Sequence, residues 1–122
     1  MPISPWVRDL FAALDRKDVS AFGAFLAEDA FFRFGSQPEA RGRAAAEAAV
    51  EAFFGMIAGL SHELTGEWEG PGSVVVEGQV TYTRRDGTTV TLPFVDVLDM
   101  RGSRIQAYKI YMDIAPLFGA PS

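Results

Sequence analysis

Residues 60–112 read LSHELTGEWEGPGSVVVEGQVTYTRRDGTTVTLPFVDVLDMRGSRIQAYKIYM, and the fold is decided in this stretch. Apolar and polar side chains alternate here with a period of two, the pattern of strands with two unlike faces. In the first strand His62, Leu64, Gly66 and Trp68 fall on one face, and Ser61, Glu63, Thr65, Glu67 and Glu69 on the other. Gly70-Pro71-Gly72 turns the chain. Val74, Val76, Val80 and Tyr82 then alternate with Glu77, Gln79, Thr81 and Thr83. Asp86-Gly87 is a two-residue hairpin signal. A third strand spans Thr88–Met100, Arg101-Gly102-Ser103 turns, and a fourth spans Arg104–Met112. Strands joined by turns this tight predict an antiparallel meander.

Upstream of residue 60 the period is helical. Ser4 and Pro5 suit a helix start, and Val7, Leu10, Phe11 and Leu14 follow at i, i+3, i+4 and i+7. Asp18 caps a second short helix with the stripe Val19, Phe22, Phe25 and Leu26. Ala30–Gly35 reads as a short strand, with Phe31, Phe32 and Phe34 around Arg33. Arg43–Gly59 is the longest helix, with Ala46, Ala49, Val50, Phe53, Phe54 and Ile57 on its apolar face. Helices first and strands afterwards predict an α+β domain, one unit over residues 1–122 with three N-terminal helices on a curved antiparallel sheet. The last strand is apolar on both faces, with Ile105, Ala107 and Tyr111 on one and Tyr108, Ile110 and Met112 on the other. Such a strand needs cover on both sides, which a second copy bound through the sheet would supply.

Composition narrows the classes of function. Ten Phe, two Trp and three Tyr in 122 residues can fill a core or wall a ligand cavity. A net charge of −5, with basic residues clustered only at Arg41–Arg43 and Arg84–Arg85, argues against a nucleic-acid partner. With no Cys and one His, thiolate and His-rich metal sites are excluded, and no cofactor is expected. The start of the chain lacks the pattern of a signal peptide, and Glu47 and Glu51 rule out a membrane span in Ala44–Leu60. A cytoplasmic protein is the expectation. Phosphate loops, nucleophile elbows and metal-spaced clusters are missing from the sequence.

A few polar residues stand out against the apolar pattern. Asp96 shares a strand face with Leu92, Phe94 and Leu98, where an unpaired charge is expensive and burial raises a carboxyl pKa. It can act there as a neutral donor or proton carrier, or pair with an Arg or backbone N–H groups. Asp113 follows Tyr111 by two residues, so the two can converge on a ligand's polar group; Asp113 can equally cap the terminal turn. His62, with Leu64 and Trp68, is a candidate general base or a hydrogen-bonded core residue. Arg33 can meet Asp96 or Asp113, bind an anionic ligand group, or face water.

Three motifs carry a family resemblance: Phe31-Phe32-Arg33-Phe34-Gly35-Ser36 ahead of Gly42-Arg43, Pro93-Phe94-Val95-Asp96-Val97, and Tyr108-Lys109-Ile110-Tyr111-Met112-Asp113. With these the chain, from Trp6 to Phe118, resembles the nuclear transport factor 2-like superfamily in its SnoaL-like and ketosteroid isomerase-like branch. The resemblance implies a cone-shaped α+β barrel of the cystatin-like kind, often dimeric, with a deep pocket for a mostly apolar molecule. Of the ketosteroid isomerase set only Asp96 matches, at the position of the oxyanion-binding Asp. The Tyr position holds Leu10, and the base position falls at Phe34 or Arg33. Asp113 resembles the last-strand Asp of limonene-type epoxide hydrolases, whose Arg–Asp pair is replaced by Gln79 and Thr81.

The expectation is a protein that binds a small apolar or cyclic molecule. Asp96 and Asp113 are the candidate catalytic groups, and Arg33, Phe34, Phe53, His62, Trp68, Tyr82, Phe94 and Tyr111 the candidate ligand contacts. An acid–base isomerase or cyclase is the alternative, and a non-catalytic dimerisation module a third.

Overall fold

A computed structural model describes residues 2–119. The elements run α1 (Pro5–Asp15), α2 (Val19–Gly23), β1 (Leu26–Phe34), β2 (Ala40–Arg41), α3 (Arg43–Phe54), β3 (Gly59–Gly70), β4 (Ser73–Thr83), β5 (Thr89–Arg101), β6 (Arg104–Tyr111) and α4 (Ala115–Phe118). β3 to β6 form the expected antiparallel meander, within one sheet ordered β2-β1-β6-β5-β4-β3.

Several expectations change. β1 begins at Leu26 and pairs parallel with β6, so the sheet is mixed rather than wholly antiparallel. That pairing joins segments far apart in sequence, and no turn signal announces it. The sheet curves but stays open at its edges β2 and β3, so it is not a closed barrel. Three helices do precede the meander, but α2 is only five residues long and a fourth helix follows β6. Phe25 and Leu26 therefore lie beyond α2. α3 stops at Phe54, well before Gly59, and Gly55 takes the cap position.

The helix starts differ in how they are held. Asp18 caps α2 by accepting the Ala21 N–H at 3.0 Å. Ser4 makes no side-chain cap; its N–H and hydroxyl both donate to the Glu67 carboxylate, at 2.8 and 2.5 Å. Arg43, first in α3, donates twice to the Leu26 carbonyl and ties that helix to β1.

One core lies between the inner sheet face and the helices. Val7, Leu10, Phe11 and Leu14 of α1 are buried as their spacing requires, as are Ala46, Val50 and Phe54 of α3. The sheet contributes Val74, Val76, Val80 and Tyr82 from β4, and Leu92, Phe94, Asp96 and Leu98 from β5. Two irregularities within the meander shift the simple alternation. Between Leu64 and Gly66 the β3–β4 register slips by one residue. Glu67 consequently stands opposite Val76 on the inner side, and Trp68 opposite Val75 on the outer. A second slip between Asp99 and Met100 brings Ile105 onto the inner face with Tyr108. At Gly78, beside the first slip, a Cβ would overlap the Glu63 carbonyl.

Candidate functional site

The inner face of β4, β5 and β6 does not pack solidly against α3. Between them lies a cavity of about 360 Å³, with walls mainly of carbon: Phe22, Phe32, Phe34, Phe53, Phe94, Val50 and Val80. Met56, after α3, and Phe118, on α4, belong to its lining although they are 52% and 57% exposed, so they mark the opening.

Asp96 is the buried charge-bearing residue of the wall, 2% exposed. Tyr108 donates its hydroxyl to Asp96 Oδ2 at 2.9 Å, and Oδ1 has no partner among the described residues. Burial pushes the Asp96 carboxyl up to about 7, and the Tyr108 hydrogen bond opposes that rise only in part. Near neutral pH the group therefore exists in both forms. Protonated, it can donate to a carbonyl; ionised, it can accept from a hydroxyl. Burial, and then the Asp96 charge, also push the phenols of Tyr82 and Tyr108 above the ordinary tyrosine value, so both stay neutral donors.

His62, on β3, joins Asp96, Tyr82 and Tyr108 among the polar groups of the wall. Its Nδ1 lies 2.5 Å from Asp15 Oδ1, and its backbone N–H donates to Asp15 Oδ2 at 3.1 Å. Lys17, two residues past the end of α1, donates to the carbonyls of Phe54 and Ile57 at 3.1 and 2.7 Å. It thereby pins the end of α1 that carries Asp15 to the end of α3.

Of the residues singled out in the sequence, Asp96, Phe34, Phe53, His62, Tyr82 and Phe94 line the cavity. The other four do not. Trp68 is 48% exposed, carried outward by the register slip in β3. Arg33 and Tyr111 lie on the outer sheet face and engage each other: Nη2 donates to the Tyr111 hydroxyl at 2.7 Å, and the guanidinium stands 5.4 Å from the ring centroid. Asp113 is exposed and accepts the Ala115 N–H at 3.0 Å, which makes it a turn residue at the start of α4.

Tyr108 and Asp15 were not among the candidates. A hairpin register extended back from the Arg101–Arg104 pair sets Asp96 opposite Lys109; the slip at Asp99/Met100 sets it opposite Ile110 instead, which puts Tyr108 on its face. Asp15 follows Phe11 by one helical turn, so it shares the inward face of α1, a signal that was present in the spacing. Among the described residues no group of three or more His, Asp or Glu side chains is placed to hold a metal ion, and no helix is long and apolar enough to cross a membrane.

The SnoaL-like domain family matches residues 7–108. No curated protein matches the chain. Among solved structures, an NTF2-like protein of unknown function from Burkholderia pseudomallei K96243 superposes with a TM-score of 0.83 at 23% identity, over 92% of this chain and 91% of that one. A hypothetical protein with a ketosteroid isomerase-like fold from Catenulispora acidiphila DSM 44928, in complex with trimethylamine, gives 0.83 at 19% identity over 90% and 86%. An M. tuberculosis LEH-like epoxide hydrolase gives 0.76 at 18% over 92% and 83%. At these identities the likeness is one of fold.

Proposed function

Because the chain belongs to the SnoaL-like domain family, we propose that it binds a small, largely apolar ring compound that carries one hydroxyl or carbonyl oxygen. The observation that carries this reading is Asp96: a carboxyl 2% exposed, on a carbon-lined cavity, with one oxygen satisfied by Tyr108 and the other unpartnered. A buried polar atom without a partner is unfavourable, and a ligand oxygen at Oδ1 removes that deficit. The apolar lining supplies affinity, and the Asp96 carboxyl fixes orientation.

The test is a fluorescence titration with 2-naphthol and its oxygen-free counterpart naphthalene. One added hydrogen bond corresponds to about tenfold tighter binding of 2-naphthol. Val50→Trp, which projects a larger ring into the cavity, abolishes binding of both. Equal affinity for the two compounds contradicts the role given to Asp96, and undiminished binding to Val50→Trp contradicts the cavity as the site.

The same reading includes a homodimer through the outer sheet face. Trp68 and Tyr111 are each 48% exposed on that face, beside the half-buried Val75, Val95 and Val97. A second copy would cover these side chains.

A further inference from the structure

The charge that the cavity offers a ligand is negative. Among the residues that line it there is no Lys or Arg. His62 is the basic side chain of the wall, and its Nδ1 already faces the Asp15 carboxylate, so a charge on that ring is matched within the protein. Asp96 has no such match: Tyr108 donates to Oδ2 without neutralising the group, and Oδ1 is buried with no partner among the described residues. Tyr108 packs against Phe22 and Phe32, with centroid separations of 5.7 and 5.6 Å, and all three rings belong to the wall. In the same wall Phe53 packs against Phe34 and Tyr82 at 5.2 and 5.5 Å. Aromatic faces carry the negative end of the ring quadrupole and attract cations. The net charge of −5 adds a field of the same sign around the whole chain.

We propose that the cavity takes a second class of ligand, protonated apolar amines, with the ammonium at Asp96 Oδ1 and the hydrocarbon part against the rings; this rests on the reading of the cavity as an apolar ligand site. A buried ion pair normally costs the desolvation of both ions. Here folding has already taken the carboxyl out of water, so binding has only the ammonium to desolvate, and the aromatic wall offsets part of that cost. An anionic ligand meets the Asp96 carboxylate and no Lys or Arg. The choice of ligand then follows the ionisation of Asp96. The other titratable groups of the wall are Tyr108 on β6, Tyr82 on β4 and His62 on β3, while α1, α2 and α3 present only apolar side chains to the cavity. Both phenols stay neutral. Burial holds the Asp96 carboxyl at about 7, so below that pH an incoming ammonium must displace its proton, and amine affinity falls about tenfold per pH unit.

Fluorescence titrations with 2-naphthylmethylamine, 2-naphthalenemethanol and 2-naphthoate provide the test, because the three share one ring system and differ in the charge of the polar group. At pH 8 the amine should bind about tenfold tighter than the alcohol, and the naphthoate should not bind. From pH 8 to pH 5 the amine should weaken about 100-fold, while the alcohol changes less than about threefold. Calorimetry at pH 6 in two buffers of different ionisation heat should find about one proton released per amine bound. In Asp96→Asn the preference for the amine and its pH dependence both disappear, and naphthalene, which makes no polar contact, reports whether the cavity of that variant is intact. An amine bound no tighter than the alcohol at pH 8, an amine affinity flat with pH, or a slope that survives in Asp96→Asn overturns the proposal and leaves the ligand site standing. So does naphthoate that binds as tightly as the alcohol. Should Asp96→Asn fail to fold, the native protein decides, since amine binding at pH 6 without proton release overturns the proposal. If none of the three compounds binds at any pH, the ligand site falls, and the proposal with it.

Discussion

Replacement of Asp96 by Asn converts its burial into a pH-dependent stability difference. The folded protein holds this carboxyl neutral up to about pH 7, whereas the unfolded chain ionises it near 3.8. Between those values the unfolded state binds fewer protons, so this group makes the native protein less stable as pH rises. Below the window its contribution is constant, and above it the loss is complete. At 1.36 kcal/mol per pH unit the window comes to about 4 kcal/mol, a large part of the ~5–15 kcal/mol that holds a domain of this size together. Asn is nearly isosteric, never ionises, and still accepts the Tyr108 hydroxyl through its side-chain oxygen. Urea unfolding of both proteins from pH 4 to 8.5 isolates the effect, because the other titrating groups cancel in the difference. The stability of Asp96→Asn relative to the native protein should rise by about 4 kcal/mol between pH 4 and 8 and level off above. A difference that is flat across this range, or that shrinks with rising pH, would show that the carboxyl is ionised in the folded state and refute the reasoning.

Gly78→Ala places a methyl group against the Glu63 carbonyl, and unfolding should show a loss of about 2 kcal/mol. Asp113→Ala removes only the bond to the Ala115 N–H; it should cost about 1 kcal/mol or less and leave 2-naphthol affinity unchanged. Sedimentation should find the native chain dimeric and Val97→Arg monomeric, since an Arg at the centre of the outer face buries an unpaired charge in the dimer.

The architecture was legible wherever periodicity was undisturbed. The face of α1, the Asp18 cap and the alternation that buries Asp96 follow directly from residue spacing. Pairings without a local signal were hidden, above all the parallel contact of β1 with β6. Register slips did the rest: one carried Trp68 out of the wall, and the other put Tyr108 beside Asp96. Arg33 shows another limit. Its strand was recognised, but its partner Tyr111 lies 78 positions away, on a strand whose neighbour could not be inferred. The Asp15–His62 pair, which joins a helix end to a strand edge, became visible only when α1 was laid on the sheet.

The most direct measurement is a crystal structure of the protein grown with 2-naphthol. The naphthalene rings should lie between α3 and the inner sheet face, with the hydroxyl about 2.6–3.0 Å from Asp96 Oδ1. Naphthol found only on the outer face, or a cavity closed by its own phenylalanines, would contradict the ligand site.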